Sequence, residues 1–133
     1  MVTIYTDGGC EGNGQRDLAQ RHMRSVARLD TGEIIADEHT DGGSNNIAEL
    51  RAVCLALRWA REQGLREIQI RTDSQVILVW LRGKRLGTHL NDRTMVETLR
   101  AEVAGLSVDM RLILAWIPRE DNIAGHYIES RYS

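Results

Sequence analysis

One amphipathic segment, residues 47 to about 63, sets the frame for the whole chain. Its apolar residues Ile47, Leu50, Cys54, Leu57 and Ala60 step by three and four, the period of a helix with one face in a core. Gly64 is a suitable stop, because glycine accepts the left-handed backbone that ends helices. Strand-like segments lie on both sides. Residues 2–6 are rich in Val, Ile, Thr and Tyr. Residues 23–29 and 33–38 flank Asp30-Thr31-Gly32, a hairpin signal. After the helix, residues 65–72 alternate, with Ile68 and Ile70 on one face and Glu67, Gln69 and Arg71 on the other. Ser74 caps a helix over residues 75–81, and a third helix runs from Asn91 to about Ala104. Residues 111–117 are nearly continuously apolar and closed by Pro118, which reads as a strand covered on both faces. A short helix over residues 123–131 ends the sequence. The order βββ-α-β-α-α-β-α implies an α/β fold, one mixed sheet with helices on its faces and right-handed crossovers.

A chain of 133 residues, 42% hydrophobic and 27% charged, fits a single domain over residues 1–133 with a core of its own. Asp7 arrives too early for the apolar stretch of a signal peptide, and no apolar run approaches the ~18 residues of a membrane span. Cytoplasmic residence is expected, with no membrane or protein partner and a monomeric state. Cys10 and Cys54 have no CxxC spacing, so neither a disulfide nor a metal site is expected of them. A net charge of −2 does not announce a nucleic-acid binder. Of the 17 basic residues, however, only Lys84 is a lysine. Arginine's planar fork suits two-point contact with phosphate, although a biased genome composition produces the same excess.

Three acids stand at element ends in this reading. Asp7 closes the first strand, Glu49 lies in the first turn of the first helix, and Asp73 closes the fourth strand. Reactive groups of α/β sheets collect at the carboxyl ends of strands. Each acid also has a bland role. Asp7 before Gly8-Gly9 makes a turn. Glu49, three residues after Asn46, fits a capping box. Asp73 suits a helix N-terminus. Taken together, clustered carboxylates repel one another and favour a hard divalent cation. Oxygen ligands without a His/Cys cluster point to Mg²⁺ or Mn²⁺. Two such ions suit in-line attack on a phosphodiester.

These residues carry a family resemblance. Ile4-Tyr5-Thr6-Asp7-Gly8, Asn45-Asn46-Ile47-Ala48-Glu49-Leu50 and Thr72-Asp73-Ser74-Gln75 resemble the signatures of ribonuclease H type I in order and spacing. Trp116-Ile117-Pro118-Arg119-Glu120-Asp121-Asn122 resembles a WVPREQN-like segment of many members. The resemblance covers essentially the whole chain. It implies a five-stranded sheet of order 3-2-1-4-5 with strand 2 antiparallel. It implies that Asp7, Glu49 and Asp73 ligate Mg²⁺ or Mn²⁺, two ions with substrate bound. It also implies that the RNA strand of an RNA–DNA hybrid is cut to 5′-phosphate and 3′-hydroxyl ends. Asn13, Asn45 and Gln75 match positions that contact the hybrid's minor groove, where amides both donate to and accept from a 2′-hydroxyl.

The sequence departs from the family pattern twice. The family's usual fourth acid falls at His126, which becomes the first candidate for a catalytic and metal-binding role, with Glu129 and Asp121 as rivals. The usual basic protrusion is reduced to Arg82-Gly83-Lys84-Arg85 beside Trp80. Lys84 and Arg85 are expected on DNA-strand phosphates and Trp80 on the backbone or a sugar, or else Trp80 is a core residue. His22, His39 and His89 read as surface residues. Two alternatives to the nuclease remain at this point: a catalytically weakened nucleic-acid-binding module of the same fold, and a related nuclease for another structured nucleic acid.

Overall fold

The computed structural model describes residues 1–12, 15–83 and 92–130. Its strands are β1 (Val2–Glu11), β2 (His22–Leu29), β3 (Ile34–Asp41), β4 (Glu67–Thr72) and β5 (Arg111–Trp116). Its helices are α1 (Asn45–Glu62), α2 (Gln75–Leu81), α3 (Arg93–Leu106) and α4 (Ile123–Ser130). The strands form one sheet in the order β3-β2-β1-β4-β5. β2 is antiparallel to β1 and β3, while β1, β4 and β5 are mutually parallel. This is the fold class, strand order and strand direction expected from the sequence.

Helices cover both faces, and two neighbouring residues of β1 show how. A Cβ on Gly8 would meet α1 at Ala48, whereas a Cβ on Gly125 of α4 would meet the side chain of Asp7. Successive strand residues point to opposite faces, so α1 and α4 flank β1 from opposite sides. Between the sheet and α1 lies the main core. Ile4, Ile68 and Ile70 meet Leu50, Val53 and Leu57, and α3 adds Val96, Leu99 and Val103. Each such side chain, fully buried, stabilises the fold by about 1.5–3 kcal/mol. The apolar stripe of α1 is therefore its main anchor.

Four local expectations change. β1 does not end at Thr6 but pairs with β2 as far as Glu11, with Gly8 opposite Ser25 and Gly9 opposite Arg24. Gly8 is a packing residue here, not a turn former. A Cβ at that position would lie 2.3 Å from the Ala48 carbonyl carbon and 2.5 Å from the Glu49 nitrogen, so only glycine lets α1 approach this closely. β3 likewise runs on to Asp41. β5 is not covered on both faces: it is an edge strand, and its apolar residues are half-buried. Finally, α1 begins at Asn45 behind Ser44, whose hydroxyl accepts the Ile47 N–H at 3.2 Å.

Candidate active site

Parallel pairing of β1 with β4 ends at Tyr5 and Arg71. Two residues further on, Asp7 and Asp73 face the gap where the two strands part. Asp7 is thus a mid-strand residue, but it stands where β4 has left the sheet. Glu49 comes from the second turn of α1, five residues past the Ser44 cap, so a capping-box role is closed to it. The Ser25 hydroxyl holds this turn by donating to the Ala48 carbonyl at 2.7 Å. One carboxylate oxygen from each of Asp7, Glu49 and Asp73 falls within 4.8 Å of the others.

The burial of this cluster is unusual for its charge. Asp7 is 3% exposed and Glu49 7%. Burial raises the Asp7 pKa above the ordinary carboxylate range, and the Asp73 charge adds to the rise, while a hydrogen bond with Glu49 works the other way. Glu49 is pushed up further, first by burial and then by the Asp7 charge and its hydrogen bond with Asp7. Asp7 Oδ1 and Glu49 Oε2 remain buried with no hydrogen-bond partner. Such oxygens are costly to leave unmatched. A hard divalent cation is the partner that an all-oxygen set suits, so the residues fit Mg²⁺ or Mn²⁺.

Two residues that sequence reasoning did not single out complete the setting. Asn122 is fully buried. Its Nδ2 donates to the Thr6 carbonyl at 2.9 Å and to Asp73 Oδ2 at 3.1 Å, and its Oδ1 accepts the Ala124 N–H at 3.1 Å. One amide thereby fixes the Asp73 carboxylate, β1 and the start of α4. An asparagine just ahead of an apolar helix is a readable capping signal, but its tie to Asp73 is not. Arg119 is the second residue. Partial burial opposes its charge, yet Asp7, Glu129 and Asp73 outweigh that and hold its pKa up.

The remaining expected site residues fall elsewhere. His126 is exposed and stands outside the acid cluster. Position 125, not 126, is the α4 residue turned to Asp7, since a Cβ there would lie 3.0 Å from Asp7 Oδ2. Glu129 is exposed and paired with Arg119 at 2.8 Å, and Asp121 is exposed. Asn45 and Gln75 are exposed at the first positions of α1 and α2, and Asn45 Oδ1 accepts the Cys10 N–H at 2.7 Å. Trp80 is 9% exposed and packs in the main core, so its side chain is a core residue and not an exposed platform. Asn13, Lys84, Arg85 and His89 lie outside the described residues.

Comparison with known proteins gives the same frame. The N-terminal RNase H domain of rv2228c from Mycobacterium tuberculosis, solved as a fusion with maltose binding protein, superposes with a TM-score of 0.71 at 22% identity, covering 95% of this chain and 93% of that one. LC11-RNase H1, isolated from compost and solved in complex with an RNA/DNA hybrid, gives 0.67 at 23% identity with 100% of both chains covered. RNase H1 of the halophilic archaeon Halobacterium salinarum gives 0.65 at 23% identity, covering 95% and 92%. No curated protein matches the chain. The RNase H family model matches residues 1–125, a span that takes in all five strands and the three clustered acids. The chain belongs to the RNase H family.

Proposed function

We propose that this protein is a divalent-metal-dependent endoribonuclease that cuts the RNA strand of RNA–DNA hybrids, leaving 5′-phosphate and 3′-hydroxyl ends. The observation that carries the reading is the cluster of Asp7, Glu49 and Asp73, with Asp7 Oδ1 and Glu49 Oε2 buried and unmatched. Family membership supports it, as does the likeness over the full chain to LC11-RNase H1, a protein solved with an RNA/DNA hybrid. When bound, divalent ions supply Lewis acidity toward the attacking water and the departing oxygen.

The chain's own residues hold and tune that site. Asp7, Glu49 and Asp73 are the ligands. The hydrogen bond between Asp7 and Glu49 keeps these two ligand groups side by side. Asn122 keeps the Asp73 carboxylate turned toward the cluster. Asn45 and Gln75, exposed at the starts of α1 and α2, would contact the hybrid's minor groove in this reading.

Cleavage of a labelled hybrid, duplex RNA and duplex DNA, each with Mg²⁺, Mn²⁺ or EDTA, tests the proposal. Hybrid cleavage that needs metal and is abolished by Asp7→Asn is the expected result. A protein that binds the hybrid but never cuts it is a binding module instead, a reading to which the exposed position of His126 gives some support. Preference for duplex RNA or duplex DNA would point to a related nuclease with another substrate.

A further inference from the structure

The three tryptophans of the chain are treated very differently by the fold. Trp80 is buried and Trp59 half-buried, while Trp116 is 48% exposed. Trp116 ends β5 opposite Thr72, the residue before Asp73. Its indole N–H donates to the Asp73 carbonyl at 3.2 Å. The ring is therefore fixed beside the main chain of one of the clustered acids and at the same end of the sheet. Val76, in the first turn of α2 and three residues past Asp73, is also exposed.

Folding gives little reason for a large aromatic here. The Asp73 carbonyl at an exposed edge could be served by water, and about half of the residue stays in solvent. Nucleic-acid binding gives a reason. The ring's single donor is already used, so what it offers is an apolar face. That face has nothing for a phosphate, which needs a cation or an N–H. In a duplex the base faces are stacked on one another and only their edges reach the grooves. The sugar remains as the group that an apolar ring beside the backbone can meet.

We infer that Trp116 is a substrate-packing residue, whose exposed face takes the sugar of the nucleotide next to the phosphate held at Asp7, Glu49 and Asp73. The contact is independent of base sequence, as aromatic packing on nucleic acid generally is. It rests on the hybrid-cleavage reading and adds a binding residue to it.

The test combines kinetics with fluorescence. Trp116→Ala should raise KM for the hybrid about tenfold, the fold-change that corresponds to losing about 1.4 kcal/mol of apolar packing on the sugar. Its kcat should stay within about twofold of the parent. Trp116→Phe keeps a ring face but loses the indole N–H, and should recover most of the KM. Magnesium affinity, followed by calorimetry, should be the same in all three proteins. In the Asp7→Asn background, where the hybrid survives, adding it should quench tryptophan emission, and Trp116→Phe should remove most of that quench. An unchanged KM in Trp116→Ala, or a quench that survives Trp116→Phe, overturns the inference. Equal losses in both variants together with weakened Mg²⁺ binding overturn it too, because the indole would then act only through Asp73. If the parent protein neither binds nor cuts hybrids, the proposed function itself fails and the inference goes with it.

Discussion

Two pairs of carboxylates in this protein are solved in opposite ways. On β3, Asp37 and Glu38 point to opposite faces of the sheet, and each meets an arginine two-on-two. Arg24 Nε and Nη2 both donate to Asp37 at 2.9 Å, and Arg51 does the same to Glu38 at 2.8 and 3.0 Å. Hydrogen bonds from these arginines hold both acids below the ordinary carboxylate range, against a smaller penalty from partial burial. At Asp7 and Glu49 burial is deeper, each acid keeps an oxygen with no partner, and both pKa values are raised. The chain has arginines to spare, so the unmatched pair is not a shortage of cations. The β3 acids tie the sheet to α4 and α1: Tyr127 of α4 donates to Asp37 at 3.2 Å, and Arg51 belongs to α1. At the Asp7–Glu49 pair the charge of Arg119 acts on Asp7, yet neither unmatched oxygen receives a hydrogen bond.

Exchanging one acid from each pair should separate these roles most sharply. Glu49→Gln should lower hybrid cleavage about a thousandfold, since loss of a ligand removes several kcal/mol of Lewis-acid stabilisation. The same variant should make the metal-free protein more stable, by about 1–2 kcal/mol at neutral pH, because a buried and partly unmatched acid is gone. Glu38→Gln should do the reverse. Cleavage stays within about twofold, and stability falls by about 1 kcal/mol, a value kept small because the pair is partly solvated. Single-turnover rates and urea midpoints of the two proteins check both signs. Equal effects on activity would erase the distinction.

Asp37→Asn should come next in size. Arg24 has only 7% of its side chain exposed and would keep its charge with a weaker partner. Stability should fall by about 2 kcal/mol. The damage should concentrate on α4, whose Tyr127 both donates to Asp37 and lies under the Arg24 guanidinium at 5.2 Å. Amide exchange that speeds up across α4 more than across α1 is the expected pattern.

The two pairs should also divide the pH profile between them. Asp37 and Glu38 have folded pKa values below their unfolded ones. Their contribution is present above the ordinary carboxylate range and is lost as pH falls through the lowered values. Asp7 and Glu49 have raised values, so the folded protein keeps protons that the unfolded chain has released. Their contribution is fully present below the ordinary range and is lost as pH climbs through the raised values. The metal-free protein should therefore lose stability in both directions away from the ordinary carboxylate range. Glu38→Gln should flatten the acid limb alone, and Glu49→Gln the alkaline limb alone. Saturating Mg²⁺ should also flatten the alkaline limb, because it binds the deprotonated acids. Urea titrations from pH 3 to about 8 would show whether the limbs respond separately.

What the sequence discloses follows the same division. The period of α1 and the meander before it could be read because each rests on a regular pattern of apolar and turn residues, whereas the strand order came from the family resemblance. The three acids could be read because they sit in short segments of recognisable spacing. What escaped depends on close approach in space. Gly8-Gly9 looks like a turn until α1 is seen crossing it, and β1 then runs five residues further than residues 2–6. The apolar run of β5 is what a central strand needs, yet it lies at an edge. Trp80 next to a basic turn could be read either as a nucleic-acid contact or as a core residue, and only the packing of α2 decides for the core. His126 occupies the expected sequence position of a fourth ligand, while the helix rotation presents Gly125 to Asp7. Asn122 escaped as a site residue because its partners, Thr6 and Asp73, are 116 and 49 residues away.

A smaller change tests whether an unmatched buried oxygen always signals a site. Thr6 is fully buried beside Asp7, and its hydroxyl has no partner either. It differs from the acids in two respects: it faces the α1 side of β1, like Ile4, and a neutral hydroxyl is a poor competitor for a hard cation beside three carboxylates. Its lack of a partner then reflects packing. Thr6→Val replaces the hydroxyl with a methyl of similar size and should stabilise the protein by about 1 kcal/mol, the cost of keeping that hydroxyl out of water. Cleavage and Mg²⁺ affinity should be unchanged. A stabilised, fully active Thr6→Val beside a stabilised, inactive Glu49→Gln would show that charge and convergence, not the missing partner alone, separate a site from a packing cost. Loss of activity in Thr6→Val would extend the functional cluster one residue down β1, onto its α1-facing side.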